Sequence, residues 1–214
     1  MFKLNLLSDN EIKAIHQATL RILSETGIML EHQEARRLMA EAGAKLLTDR
    51  VIIPPELVER MAAQCSSQVT LRGRSGASKV LGDGSLHWHN LGGAPNVYEP
   101  ETRSRRPAVL QDVIDSTRLL DALQHVTSIT PFFTPQDVPG PVMALCMYRH
   151  ALPFTAKPLQ GSAVQSAAEA RYMLRMAEVI GNPYEVLTMS VSPVSPLFFP
   201  DEAVEAMLEI ARWG

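Results

Sequence analysis

Val126-Thr127-Ser128-Ile129-Thr130-Pro131-Phe132-Phe133-Thr134-Pro135 decides the fold: a short strand-forming run enters a proline-bounded loop, and an apolar helical stretch ending near His150 follows. The pattern comes twice more. Leu152 to Thr155 leads into Lys157-Pro158-Leu159-Gln160-Gly161-Ser162 and a helix ending near Ile180. Glu185 to Met189 leads into Ser190-Val191-Ser192-Pro193-Val194-Ser195-Pro196 and a helix that runs to the last residue. Strands alternating with helices at intervals of roughly thirty residues predict βαβ units and a parallel sheet. Such strands are covered on both faces, so chemistry is left to their ends.

Upstream of these units the pattern is different. Leu7-Ser8-Asp9-Asn10-Glu11 reads as a capping box, and Ile12, Ile15, Thr19, Ile22 and Leu23 share one face of the helix it starts, which Gly27 stops. A second helix from about Glu31 carries Ala35, Leu38, Met39 and Ala42 and ends at Gly43. Val51 to Ile53 is extended, and Pro54-Pro55 opens a third helix with Leu57, Val58 and Met61 inward. From Ser67 to Tyr98, short segments broken by glycine (Val69 to Leu71, Lys79 to Leu81, Leu86 to His89, Asn96 to Tyr98) predict antiparallel hairpins. Pro100 to Pro107 is a polar connection into a helix around Leu110, Val113, Ile114, Thr117 and Leu120.

With 46% hydrophobic residues and a net charge of −3 over 214 residues, the chain can bury one or two cores. A pI near 6.1 gives no general attraction to nucleic acid or anionic lipid. Its apolar runs fall short of a membrane span, Met1 to Asn5 lack the features of a signal peptide, and Cys65 and Cys146 form no disulfide framework, so a cytoplasmic protein is expected. A closed eight-stranded α/β barrel needs about eight βα units and ~250 residues. Three units fit here, and the final helix with its C-terminal Gly214 stops where a further strand is due. A piece of a longer protein is therefore expected, with an open doubly wound sheet as the rival.

Few residues offer chemistry. His87 and His89 point to one side of a strand, without a third ligand at a familiar spacing. Cys146 and His150 share a helix face, but a cysteine among Met143, Leu145 and Met147 is more often simply buried. The glycines at 82, 84, 92 and 93 fit turns and no phosphate loop, and Gln160-Gly161-Ser162-Ala163-Val164 lacks the second glycine of a nucleophile elbow. Gly161-Ser162 sits before a helix, with an N-cap the plainer reading and an anion site the sharper one. Arg103, Arg105 and Arg106 read as a solvated loop or, less commonly, a docking patch. By position at the strand ends, Phe132, Phe133, Gln160, Ser162, Ser190, Ser192 and Ser195 would ring one mouth as substrate-binding residues. That mouth lacks an obvious acid, base or nucleophile, so no catalytic residue is assigned and no metal site is expected.

Several collinear motifs resemble one family: Leu7-Ser8-Asp9, Gly27-Ile28, Ile53-Pro54, Gly92-Gly93-Ala94 to Tyr98, Arg106-Pro107-Ala108 before Asp112, Lys157-Pro158 and Ser195-Pro196-Leu197. Together they resemble the trimethylamine methyltransferase family of corrinoid-dependent methylamine and betaine demethylating enzymes, across essentially the whole chain. The resemblance implies an α/β fold, a partial (β/α)8 TIM barrel of about three units over residues 108–214. Before it come a helical segment over 1–66 and a small antiparallel β region with linker over 67–107. It implies transfer of a methyl group from trimethylamine, or a quaternary amine such as glycine betaine, to the Co(I) of a cognate corrinoid protein. The corrinoid (cobalamin) is carried by that partner and none is bound directly. A homo-oligomer is expected at full length. Trimethylamine-specific members carry pyrrolysine in their later half, beyond this chain's reach. Phe132 and Phe133 would then wall an alkylammonium group, or simply pack in the core. Two other readings are a metal- or base-dependent barrel lyase or aldolase, with Lys157 its nearest candidate, and a non-catalytic binding module built from the N-terminal helices and hairpins.

Overall fold

The computed structural model describes residues 6–213, with Ser162 described by its backbone alone. Met1 to Asn5 and Gly214, read above for a leader and a helix stop, lie outside the described residues. The chain divides into two compact units, Met1–Cys65 with Pro193–Val204 and Ser66–Ser192 with Glu205–Gly214.

In the first unit, helix α1 (Asp9–Arg21) starts on the expected capping box: the Glu11 amide donates to the Ser8 hydroxyl at 3.3 Å, and the Ser8 amide to the Glu11 carboxylate at 2.8 Å. A π-helical turn over Ile22–Thr26 extends it to Gly27, whose φ of 70° no β-carbon would tolerate against the Val51 carbonyl. Strand β1 (Ile28–Leu30), helix α2 (Gln33–Ala42), strands β2 (Lys45–Leu46) and β3 (Arg50–Ile52) and helix α3 (Pro55–Ala62) follow. β3 pairs antiparallel with both β1 and β2. The expected inward faces are only partly buried. Leu20 and Leu57 are covered, whereas Ile12, Ile15, Leu38 and Met61 remain exposed, because strands of two or three residues make too small a sheet to cover three helices.

The second unit opens with the antiparallel pair β4 (Val69–Arg72) and β5 (Ser78–Leu81), as expected. Strand β6 (Trp88–His89) departs from expectation: it joins no hairpin. The chain passes through the antiparallel pair β7 (Asn96–Tyr98) and β8 (Arg105–Pro107) into helix α4 (Leu110–Ala122) and strand β9 (Val126–Ser128), and β6 lies parallel to β9. The Asn90 side chain fixes that pairing, accepting from the Thr130 amide at 3.1 Å and donating to the Thr130 carbonyl at 2.6 Å, as another strand residue would.

Helix α5 (Met143–Ala151) ends in a 3-10 turn over Leu152–Phe154, where a strand was expected. Pro153 is preset for a helical turn and lacks the amide a ladder needs. Arg118 lies 4.2 Å over the Phe154 ring and Arg74 donates to the Pro153 and Thr155 carbonyls at 3.2 Å, holding the turn. The strand is instead β10 (Leu159–Ala163), built from residues expected to be a loop. It runs parallel to β11 (Leu187–Ser190), with a register break between Gln160 and Ala163. Gly161 is needed there, since a β-carbon would stand 2.7 Å from the Thr188 carbonyl oxygen. The Ile129 amide donates to Pro158 at 3.0 Å and the Gln160 amide to Ile129 at 2.7 Å, joining β9 to β10. Four strands thus run parallel in chain order, β6, β9, β10 and β11, one more than the sequence suggested.

Helix α6 (Ala167–Glu178) and the short α7 (Pro183–Val186) separate β10 from β11. Strand β12 (Phe198–Phe199) then returns to the first unit and pairs parallel with β1, and helix α8 (Asp201–Trp213) follows. The core of the second unit gathers Val113, Ile129, Met147, Tyr148, Leu159, Met173, Leu187 and Ala206. Each large apolar side chain there contributes about 1.5–3 kcal/mol. Among the described residues no helix is long and apolar enough to cross a membrane.

Candidate functional site

At the C-terminal ends of the four parallel strands lies a cavity of about 490 Å³, wholly within the second unit. Each strand supplies part of its wall: His89 closing β6 with Asn90 to Gly93 after it, Thr130, Pro131 and Thr134 after β9, Gln160, Gly161 and Ala163 on β10, and Ser190 closing β11. Gly140 and the first turns of α5, through Met143, Ala144 and Met147, add an apolar wall, and Gln165 and Glu169 complete it. Asn90 is held by Thr130 as described, and the Gln160 amide donates to the Ser128 hydroxyl at 3.1 Å. These two side chains brace the strand ends and leave their bases neutral and fixed.

Among the described residues two titratable side chains line this cavity, and no lysine or arginine does. His89 Nδ1 lies 2.9 Å from the Asn90 carbonyl oxygen, which can only accept, so Nδ1 carries a hydrogen. Glu169 is 8% exposed on the first turn of α6. Its amide donates to the N-cap Ser166 hydroxyl at 3.2 Å and its Oε2 accepts from the Gln165 amide at 2.8 Å. Among the described residues it has no ion-pair partner. The signal that could have found it is Ser166-Ala167-Ala168-Glu169, a capping-box pattern that places a carboxylate on a helix's first turn. Gly161-Ser162, which resembles a helix start on sequence, lies within β10, and α6 begins after Ser166.

Of the residues expected to ring the mouth, Gln160 and Ser190 line the cavity. Phe132 and Phe133 follow Pro131 and pack edge to face with centroids 4.8 Å apart; Phe133 also lies against the core, and neither lines the cavity. Gly161 lines it from within β10 rather than ahead of a helix, and the Ser162 side chain lies outside the described residues. Ser192 is exposed and outside the lining, and Ser195 belongs to the first unit.

The other constellations resolve into structural roles. Ser85 lies 2.9 Å from His87 Nε2 and donates to Asp83 through its hydroxyl at 2.6 Å and its amide at 2.8 Å, and these two bonds, more than His87, hold the Asp83 carboxyl down at about 2. His87 Nε2 also lies 3.2 Å from the same Asp83 oxygen, so the imidazole meets acid and serine through one nitrogen, unlike a triad, which uses both. His150 Nδ1 lies 2.8 Å from the Cys146 backbone oxygen. Arg106 grips Asp112 through both guanidinium nitrogens at 2.7 and 2.8 Å and also pairs with Glu99, so it pins β8 to the start of α4. That pairing, more than the Val109 amide, keeps the Asp112 carboxyl below its usual range against the cost of burial. Lys157 precedes β10, at the strand end opposite the cavity, and donates to the Leu120 and Leu123 carbonyls at 3.0 and 2.6 Å, closing the C-terminus of α4. Among the described residues no group of three or more His, Cys, Asp or Glu is arranged to hold a metal ion.

The trimethylamine methyltransferase (MTTB) family matches residues 1–214. The trimethylamine methyltransferase MttB of Desulfitobacterium hafniense is 30% identical over 100% of this chain and 45% of its own length. The chain therefore spans about half the length of the relative it matches, and it belongs to the trimethylamine methyltransferase family.

Proposed function

We propose that the chain forms the first part of a (β/α)8 barrel methyltransferase that takes a methyl group from a methylated ammonium at the cavity and delivers it to a Co(I) corrinoid presented by a partner protein. The observation carrying this reading is the composition of the cavity: strand-end position, one carboxylate, one imidazole and, among the described residues, no lysine or arginine. Such a site suits a small cation and has no need of a protein nucleophile. A cavity of about 490 Å³ is also too small to enclose a corrin macrocycle, which favours an acceptor brought from outside.

In the reaction the N–CH3 bond breaks and its electron pair stays on nitrogen, so the amine leaves neutral. The Co(I) acceptor supplies the pair that takes up the methyl carbon. No proton has to move if the nitrogen is cationic at the start, which fits a mouth nearly free of acids and bases. The residues of this chain hold and orient the ammonium: Met143 and Met147 offer polarisable apolar surface, while Asn90 and Gln160 fix the strand ends.

The test is methyl transfer by the full-length protein. Incubated with a Co(I) corrinoid protein and trimethylamine, tetramethylammonium or glycine betaine in turn, it should discharge the Co(I) absorbance with at least one donor. Unchanged Co(I) with every methylated amine would overturn the reading. The base-dependent lyase reading is not favoured, because Lys157 faces the wrong end of the sheet.

A further inference from the structure

The structure places one nearly buried carboxylate in the wall of a cavity that holds no lysine or arginine, and we infer that Glu169 is the counter-charge that seats a methylated ammonium lacking a carboxylate of its own. The identity of the ligand rests on the methylated-ammonium reading above. A buried carboxylate without a cation is costly unless its charge is answered, and the single amide from Gln165 answers one oxygen. Oε1 remains, on a residue that lines the cavity.

Three facts agree on the class of ligand. Glu169 is the one carboxylate among the described lining residues, so a monocation balances it. Met143, Ala144 and Met147 provide an apolar wall for methyl groups, as a hydrated inorganic cation would not require. A betaine would bring a carboxylate, and among the described residues the cavity offers no basic group to receive it, while Glu169 would repel it. Trimethylammonium and tetramethylammonium therefore fit better than glycine betaine. For trimethylamine the carboxylate has a second effect: it favours the protonated amine, the form whose nitrogen can leave as a neutral amine.

The capping contact of Glu169 is the competing explanation, and the substitution Glu169→Gln separates the two. Glutamine retains an oxygen to accept from the Gln165 amide and removes only the charge. Ligand binding to the protein is followed by NMR titration with tetramethylammonium, glycine betaine and the neutral isostere tert-butanol. E169Q is expected to weaken tetramethylammonium binding roughly tenfold to a hundredfold and leave tert-butanol unchanged. The wild type is expected to prefer tetramethylammonium over glycine betaine by at least about tenfold. A nuclear Overhauser contact between the N-methyl protons and the Glu169 γ-methylene in the wild type tests the placement without any variant. Equal tetramethylammonium affinity in E169Q, or absence of that contact at saturating ligand, overturns the inference. None of these measurements requires a corrinoid, so failure of methyl transfer with cation binding intact would sink the functional reading alone.

Discussion

The two ends of the parallel strands contrast sharply in how their charged groups are partnered. At the N-terminal end of β10, the Asp121 carboxylate accepts from the Thr155 hydroxyl at 2.7 Å and the Ala156 amide at 2.9 Å, while the Thr155 oxygen accepts from the Lys157 amide at 3.0 Å. Lys157 in turn caps α4. Burial pulls its ammonium below the usual lysine range, with Asp121 opposing. Burial pushes the Asp121 carboxyl up, but the hydroxyl, the amides and Lys157 together outweigh it and leave it depressed. At the C-terminal end Glu169 has one amide and His89 one carbonyl, and both line open space. A closed network ties α4 to the sheet, whereas the two groups at the other end face the cavity. One ladder of strands therefore has a closed end and an open end, as parallel α/β architecture permits.

Substitutions at the closed end should cost stability and leave ligand binding alone. The largest effect is expected for Gly73→Ala, because a β-carbon there would collide with the Ala156 carbonyl, a backbone group that cannot step aside. A loss of about 2–3 kcal/mol in denaturant unfolding is expected; an unchanged midpoint would break the claim that this end is tightly closed. Asp121→Ala removes the acceptor of two hydrogen bonds and should cost about 2 kcal/mol. Because the folded carboxyl is depressed, its stabilisation is present above the ordinary aspartate pKa of about 4 and lost as pH falls through the lower folded value. The wild type should therefore lose more stability than Asp121→Ala as the pH falls below about 4, measured by thermal melts at successively lower pH. Lys157→Met should cost about 1 kcal/mol by uncapping α4 and leave methyl transfer unaltered. Abolished transfer with the fold intact would revive a catalytic role for that lysine.

What the sequence made legible depended on how locally each feature is determined. The capping box at Ser8 and Glu11, the stop at Gly27, the proline start of α3 and strand β9 all follow from neighbouring residues, and the structure has them. β10 was misread because Gln160-Gly161-Ser162 looks like a turn, and only a neighbouring strand on each side makes it extended. Leu152 to Phe154 erred the other way: an apolar run of strand length holds a proline and turns helically. β6 was assigned to a hairpin because nothing local in His87-Trp88-His89 reveals a parallel partner far along the chain, secured by the Asn90 side chain. The strand-end rule still pointed to Gln160 and Ser190, but it could not find Glu169, which comes from a helix start the misplaced strand had hidden.

The smallest expected effect lies between the two ends, on α5. Tyr148 is fully buried in the core of the second unit, next in sequence to the cavity-lining Met147, and its hydroxyl is without a hydrogen-bond partner among the described residues. Burial also raises its phenol above the usual range, as expected for a group whose ionised form has nothing to receive it. An unpaired buried hydroxyl costs free energy that the ring's packing must offset, so removing the oxygen while keeping the ring relieves a penalty. Tyr148→Phe is therefore expected to stabilise the protein by about 0.5–1 kcal/mol, read as a higher denaturant midpoint with an unchanged slope. Cation binding should be unaffected, because the ring that supports Met147 remains. A destabilised Tyr148→Phe would mean that the hydroxyl has a partner, most simply a buried water reaching in from the cavity, and the division between a dry closed core and an open end would have to be redrawn along α5.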